Sequence, residues 1–223
     1  MVLVRAGDGR APDRSAFTRR ERALVESLRT PRAVQGWLRS LPYNWEKGGE
    51  TLRSFREVAK LETAHCLEAA LAAAVILEQQ GYPPLLLSFE SADKLDHVLF
   101  LFREEGRFGA VARSRDPGLH GRKPVFLSPR QLAASYREAY VDLTGRITGY
   151  AVADLRELGA YDWRLSTRNV RRVEKWLVDY PHRSLPTPEG LYRRALERYK
   201  RFRARFPDPE VRPAYFDGRG TWL

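Results

Sequence analysis

The feature that most constrains this 223-residue chain is a stretch that is apolar on every face of a helix. Residues 69–77 read Ala-Ala-Leu-Ala-Ala-Ala-Val-Ile-Leu, inside a segment that we predict as one helix from Thr63, as N-cap, to the stop signal Gly81. A helix without a polar face has to be buried all round. The rest of the chain must therefore pack around it, and a chain of this length can bury such a core.

The periodicity changes after this helix. Three short strand-like runs follow at 85–90, 98–102 and 108–114, and the last two are joined by a hairpin-length turn at 103–107. A buried helix followed by an antiparallel meander predicts an α+β fold. We therefore expect the Ala-rich helix, which carries Cys66, to pack on a small antiparallel sheet, with helical N- and C-terminal flanks.

The flanks read as helices without repeats or linkers, so we predict a single domain over residues 1–223. Residues 1–14 are rich in Gly, Pro and charged side chains, and we predict a disordered terminus there. The core is expected over residues 50–145, and a mainly helical C-terminal extension over 146–223. The predicted flanking helices lie near 15–29, 31–41, 51–60, 129–140, 167–180 and 188–206.

Cysteine usage and hydropathy exclude several classes of protein. The only cysteine, Cys66, excludes intrachain disulfides and zinc clusters built on several thiolates. No apolar run reaches the ~18–20 residues of a membrane helix, and the N-terminal stretch is too polar for a secretory signal. We expect a cytoplasmic protein without a membrane partner. No paired-ligand spacing supports a metal site, and no cofactor is expected.

The chain is strongly basic, with a formal net charge of +11. Basic side chains are in excess in residues 1–60 and 164–205, whereas residues 61–163 are slightly acidic. The basic segment 192–206 fits an amphipathic helix with solvated arginines, so nucleic-acid binding ranks low. The charge distribution hints at a negatively charged or carboxylate-bearing substrate. The sequence leaves the oligomeric state open.

Cys66 lies in the first turn of its predicted helix, where free backbone N–H groups and the helix dipole favour a thiolate. His97 begins the second predicted strand, and its imidazole could lie beside the amino end of the helix. A cysteine and an imidazole within hydrogen-bond reach form the pair that a thiol nucleophile needs. We therefore predict Cys66 as nucleophile and His97 as general base.

A third group should hold the other ring nitrogen of His97. If the third strand runs antiparallel beside the second, Ser114 shares a face with Phe108, and Asp116 continues this parity. Asp116 is the stronger acceptor, and Ser114 is the nearer alternative. Asp96 ranks third because neighbouring residues on a strand point to opposite faces.

The order of these residues resembles the transglutaminase-like superfamily, a papain-related arrangement with Cys, His and Asp on a helix and two successive strands. Within it, the chain is similar to a group of uncharacterised bacterial proteins. The resemblance covers about residues 50–145. Its motifs are Ala64-His-Cys-Leu-Glu-Ala-Ala-Leu, Gly81-Tyr-Pro-Pro, Asp96-His-Val-Leu and Phe108-Gly-Ala-Val-Ala-Arg-Ser114.

The resemblance implies a thiol-dependent acyl-transfer enzyme that hydrolyses an amide, peptide or isopeptide bond or transfers the acyl group to an amine. At the offset from Phe108 where the superfamily carries its aspartate, this chain has Ala112, so Asp116 and Ser114 both stay open as the third group. By the same resemblance, Asn44 could donate to an oxyanion and Trp45 could form a wall of the acyl site.

Two other interpretations remain. Cys66 and His97 could be ordinary buried residues, and the tryptophans Trp45 and Trp163 could only fill gaps between helices. Alternatively, the chain could be a catalytically inactive transglutaminase-like module whose basic helices bind protein or nucleic acid. His65 is expected to point away from Cys66, since neighbours on a helix do not face each other.

Overall fold

The computed structural model describes residues 9–94, 97–208, 213, 215 and 220–222. Residues 1–8 of the predicted disordered terminus, and Asp96, lie outside the described residues. The helices within the described residues are α1 (Arg19–Ser27), α2 (Pro31–Ser40), α3 (Phe55–Leu61), α4 (Cys66–Glu78), α5 (Pro129–Ala134), α6 (Arg137–Tyr140), α7 (Arg171–Val178) and α8 (Glu189–Arg205).

The strands form one antiparallel sheet in the order β4-β3-β2-β1-β5-β6. Their bounds are β1 (Leu85–Ser91), β2 (His97–Glu104), β3 (Arg107–Val111), β4 (Arg122–Phe126), β5 (Ile147–Asp154) and β6 (Arg183–Ser184). The predicted α+β fold and the meander of β1, β2 and β3 are confirmed.

Helix α4 occupies the centre, as its uniform apolarity predicts. Every residue from Leu67 to Leu77 is buried, and α4 packs on β2 and against α3. The helix begins later than predicted, because His65 rather than Thr63 is its N-cap, with φ −89° and ψ −175°. Cys66 is consequently the first residue of the helix.

Both faces of the sheet are covered. Alternate residues of β2, such as Phe100 and Phe102, pack in the core formed with α4, whereas Leu99 and Leu101 pack in a second core with Leu132 of α5. This alternation is the side-chain period of a strand. Because the second face is also buried, the segment after β4 is part of the core architecture.

The sheet is larger than the sequence predicts. Strand β4 contains Pro124, which weakens a strand prediction and fits the terminal position of β4 in the sheet. Strand β5 pairs with β1 along seven residues, although residues 146–223 were expected to be mainly helical. Its sequence includes Gly149 and two alanines, which have low strand propensity, and long-range pairing overrides that propensity.

Residues 9–14 differ from the predicted disordered terminus. The carbonyl of Gly9 accepts a hydrogen bond from Arg164 at 3.0 Å, and the carbonyl of Pro12 accepts one from Gln79 at 2.8 Å. This part of the terminus is therefore held against the end of α4 and the loop after β5. Within the described part of the chain, no helix combines the length and apolarity needed to cross a bilayer.

The central helix should dominate the stability of the domain. Leu71 is fully buried in α4, so Leu71→Ala should lower the free energy of unfolding by about 2–5 kcal/mol. Leu127 is 60% exposed, so the matched Leu127→Ala should change it by less than about 0.5 kcal/mol. Urea denaturation followed by circular dichroism measures both. Equal losses in the two variants would contradict the central role of α4.

Candidate active site

Cys66 is positioned by the end of a buried helix. It is the first residue of α4 and is partly exposed, whereas the residues that follow, from Leu67 to Leu77, are buried in the core. The first N–H groups of a helix have no carbonyl partner within it. Those of α4 surround the thiol with positive potential, as the sequence predicts.

His97, the first residue of β2, lies beside this thiol. It lines the same cleft as Cys66 and helps to lower the pKa of that thiol, and its Nε2 lies 3.0 Å from the carbonyl oxygen of Leu119. A carbonyl oxygen can only accept, so Nε2 carries a proton. The nitrogen available to Cys66 is therefore Nδ1, which is unprotonated in the neutral ring and can act as a base.

Nε2 of His97 contacts a backbone carbonyl, whereas the sequence predicts that the side chain of Asp116 or Ser114 holds this nitrogen. Those two residues shape the turn that presents this carbonyl. Oδ1 of Asp116 accepts from the N–H of Gly118 at 3.1 Å, and Oγ of Ser114 accepts from the N–H of Asp116 at 3.2 Å. The N–H of Leu119 in turn donates to the Asp116 carbonyl at 2.9 Å.

Arg122, which is fully buried, also holds this turn in place. Its guanidinium donates to the carbonyls of His120 at 2.7 Å and Gly118 at 2.8 Å and lies 4.0 Å from the centre of the Tyr136 ring. A Cβ on Gly121 would approach the Ala110 carbonyl oxygen to 2.2 Å, so only glycine fits there.

His65 faces Cys66, contrary to the sequence expectation. His65 lines the same cleft as Cys66 and His97, and hydrogen bonding with His65, as with His97, contributes to lowering the pKa of the thiol. The expectation was wrong because it treated His65 as a helical residue. As the N-cap it has an extended backbone, and the rule that helical neighbours diverge does not apply to it.

A buried carboxylate holds this end of α4. Glu68 is fully buried; its Oε1 accepts from Oγ1 of Thr51 at 2.7 Å and from the N–H of Arg53 at 3.0 Å. Its Oε2 accepts from Nδ2 of Asn44 at 3.0 Å and from the N–H of His65 at 3.1 Å. Glu68 therefore fastens the 44–53 loop to the turn that carries the thiol.

The two imidazoles change the ionisation of the thiol. Burial alone would raise the pKa of Cys66, but hydrogen bonds and positive charge from His65 and His97 outweigh it and lower the pKa to about 5. Burial also opposes the charged form of His65. Its bond to Cys66 and the negative charges of Cys66 and Glu68 outweigh that effect and raise the pKa of His65 to about 9. The favoured state near neutral pH is an ion pair.

Asn44 and Trp45 do not take the places expected for them. Nδ2 of Asn44 donates to both Thr51 and Glu68, which uses both amide hydrogens and leaves none for an oxyanion. Trp45 packs edge-to-face on Tyr43, with ring centres 5.0 Å apart, and Tyr43, unlike Trp45, is among the residues that line the cleft. Burial and the nearby negative charge of Cys66 raise the pKa of the Tyr43 phenol.

Cys66, His65 and His97 open into one cleft of about 410 Å³. Its walls come from the loop before α3, the start of α4, the turn that presents Leu119 and the end of α7. Two of these walls, at Tyr43 and at Glu174 to Val178, lie outside the predicted core of residues 50–145.

The charge lining the cleft differs from the surface charge. Among the described residues that line it, the carboxylates are Glu46, Asp93, Asp142 and Glu174, and the cations other than histidine are Lys94 and Arg115. This lining gives no support to the hint, drawn from the basic flanks, that an anionic substrate is attracted. Within the described ranges, no group of three or more His, Cys, Asp or Glu side chains is arranged to hold a metal ion.

The sequence pattern missed His65, Tyr43 and Leu119. The signal for His65 was its position next to a cysteine at a helix start. Pattern alone does not fix which residue near a helix start is the N-cap. The role of Leu119 belongs to its carbonyl, which no side-chain pattern reveals. Tyr43 lies in the same aromatic loop as Trp45, and the sequence indicates Trp45 instead of Tyr43 as the wall of the acyl site.

Two solved structures of LapG from Legionella pneumophila are similar to this chain. EGTA-treated LapG has 14% identity and a TM-score of 0.36, covering 66% of this chain and 89% of LapG. The other LapG structure has 13% identity and a TM-score of 0.37, covering 81% and 92%. TM-scores this low carry no argument about fold or function. Neither the protein-family models nor the curated proteins compared with the chain give a match.

His120, beside the turn, should make stability depend on pH. Its Nε2 lies 2.9 Å from Nη1 of Arg113 and 3.1 Å from the Ser114 carbonyl oxygen. Burial and the charge of Arg113 outweigh the Ser114 contact and lower the pKa of His120 from 6.5 to about 3. Between these values the unfolded chain binds the extra proton, so stability falls as the pH falls from 6.5 towards 3. In His120→Gln the free energy of unfolding should fall less steeply with decreasing pH, and the slope should be smaller by up to about 1.4 kcal/mol per pH unit.

Urea denaturation of both proteins at pH 7, 6, 5 and 4 measures this difference. Taking the difference between the proteins removes the contributions of the other titrating groups, including Cys66 and His65. Parallel stability curves for the two proteins would show that His120 is not held neutral in the folded state.

Proposed function

We propose that this protein is a thiol-dependent acyl-transfer enzyme with Cys66 as nucleophile and His97 as general base. The observation that carries the proposal is that Cys66, at the start of α4, and His97, at the start of β2, line one cleft, where hydrogen bonding and positive charge from His65 and His97 lower the pKa of the thiol. The far nitrogen of the His97 ring faces the Leu119 carbonyl, which selects the tautomer that a base requires. The ordered motifs that resemble the transglutaminase-like superfamily, and the α+β arrangement that carries them, support the same reading.

Acylation begins with the proton of Cys66 on Nδ1 of His97. The thiolate attacks the carbonyl carbon of an amide or peptide bond, so a C–S bond forms and the π electrons of the carbonyl move to its oxygen. When the tetrahedral intermediate collapses, the C–N bond breaks and the amine leaves with the proton from His97. The product is a thioester on Cys66.

Deacylation returns the enzyme to its first state. His97 takes a proton from water, or from an acceptor amine, while that nucleophile attacks the thioester carbonyl. The C–S bond breaks, and the thiolate of Cys66 leaves. A thiol of low pKa is a good leaving group, so the environment that ionises Cys66 also favours this step.

The developing oxyanion has a donor set at the start of α4. The backbone N–H groups of the first helical turn have no partner within the helix and carry the positive end of the dipole. Preorganised donors of this kind are among the strongest contributions to acyl-transfer catalysis. Tyr43 lines the same cleft, and its phenol is a further candidate donor.

The alternative of an inactive binding module rests on the basic C-terminal helix α8. Several of its cations are paired with carboxylates, including Arg198 with Glu138 and Arg193 with Glu189 at 3.1 Å. These pairs lower the net charge that α8 presents to a nucleic acid. The enzymatic interpretation has the more specific support. We propose a peptide or amide as the substrate, and the cytoplasmic location stays a prediction.

Acetylation by p-nitrophenyl acetate tests the machinery without knowledge of the substrate. The wild-type protein should show a burst of nitrophenolate and then steady turnover as the acetyl thioester is hydrolysed. His97→Asn should still acetylate but deacylate about 10²-fold or more slowly, because general-base catalysis is lost. Intact-mass spectrometry follows the acetyl adduct with time.

Cys66→Ser is the control for the site of acetylation and should lose the burst. His182→Asn is the matched histidine control and should keep both phases, since His182 bonds to the Tyr180 carbonyl instead of the thiol. Deacylation at the same rate in wild type and His97→Asn would overturn the role of His97 as base.

A further inference from the structure

We propose that His65 is a second imidazole of the site, which stays protonated and holds the Cys66 thiolate independently of His97. This inference rests on the proposed function, because it takes Cys66 as the nucleophile. A cysteine–histidine pair needs only one imidazole. Here the thiol lies between two, one from the N-cap of its own helix and one from the start of β2.

The surroundings of His65 suit a fixed cation. Its Nε2 lies 3.0 Å from the Thr51 carbonyl oxygen, 3.5 Å from Oε1 of Glu68 and 4.0 Å from Oε1 of Glu46. All three are acceptors, so Nε2 donates. The nitrogen left for Cys66 is Nδ1, and a ring that donates from Nε2 to these acceptors and from Nδ1 to a thiolate is an imidazolium.

The corresponding surroundings of His97 differ. The described partner of its Nε2 is the neutral carbonyl of Leu119, whereas Nε2 of His65 has the Glu68 carboxylate within ion-pair range. A carboxylate favours the charged ring more than a carbonyl does. The two rings can therefore divide the work: His65 keeps the thiol ionised, and His97 moves the proton.

The other charged groups around this pair come from every neighbouring element. The 43–46 loop supplies Tyr43 and Glu46, and the turn before Leu119 supplies Arg115. The turn after β1 supplies Asp93 and Lys94, the segment after α6 supplies Asp142, and α7 supplies Glu174. Arg53 lies 3.8 Å from Oε1 of Glu68 and reduces the effect of that carboxylate on His65. The four cleft carboxylates favour the imidazolium, and Lys94 and Arg115 oppose it.

The pH range of the ion pair follows from the ordinary values of the two groups and their shifts. The thiolate should form as the pH rises through about 5, and the His65 imidazolium should lose its proton only near pH 9. A thiolate held by His97 alone would disappear when His97 is replaced. With His65 present, most of the ionisation at pH 7 should survive that replacement.

Thiolate absorbance at 240 nm tests this division, because Cys66 is the only cysteine and Cys66→Ser provides the blank. The titration midpoint should rise by about one to three pH units in His65→Gln, since one neighbouring cation is removed. His97→Asn should leave a midpoint below pH 7, and the double variant should approach an ordinary thiol near 8.5. His182→Gln is the matched control and should titrate as wild type.

Two results overturn the proposal: an unchanged midpoint in His65→Gln, or an ordinary midpoint in His97→Asn, which would assign the thiolate to His97 alone. These outcomes are separate from the deacylation test. If acetyl turnover fails and the midpoints shift as expected, the proposed enzymatic function is overturned and the role of His65 stands. If turnover is normal and the midpoint is unchanged in His65→Gln, the role of His65 is overturned and the proposed function stands.

A second measurement avoids any dependence on the folding of His65→Gln. Methylthiolation of Cys66 in the wild-type protein removes the negative charge without a substitution. Histidine NMR titration should then show the midpoint of His65 fall from near 9 by at least one pH unit, because the favourable partner is gone. A His65 midpoint that is the same before and after modification would also overturn the proposal.

Discussion

The arrangement of the site depends on one buried carboxylate, Glu68. Four donors from Asn44, Thr51, Arg53 and His65 occupy its two oxygens, which offsets the cost of removing the charge from water. Because removal of any donor leaves part of that charge unsatisfied, the loop and the helix start behave as one unit. Cys66 and His65 belong to this unit, so a group that does not itself react sets their relative position.

Backbone carbonyls hold both imidazoles of the site. Leu119 provides one and Thr51 the other. A carbonyl fixes the tautomer and orientation of a ring as a carboxylate does, but it contributes less to the stability of the charged form. The orientation of His97 therefore depends on the backbone of the turn, and hence on Arg122 and Asp116, which hold that turn in place.

The sequence predicts well what depends on local pattern. The all-apolar helix, the meander of β1 to β3 and the place of Cys66 at a helix start follow from periodicity and capping. Strand β5 was missed because its pairing with β1, far along the chain, outweighs the low strand propensity of its own residues. The direction of the His65 side chain was predicted wrongly because the N-cap lies two residues later than expected. Leu119 acts through its backbone carbonyl, which no side-chain pattern reveals.

The net charge of +11 and the chemistry of the cleft concern different parts of the molecule. The basic residues concentrate in the flanks, whereas Glu46, Asp93, Asp142 and Glu174 line the cleft beside only two cations other than histidine among its described residues. At physiological ionic strength, charges more than about 8 Å apart at the surface are largely screened. The potential that an entering substrate meets near Cys66 is therefore set by this local lining and by the two imidazoles, and the surface charge of the flanks has little influence on it.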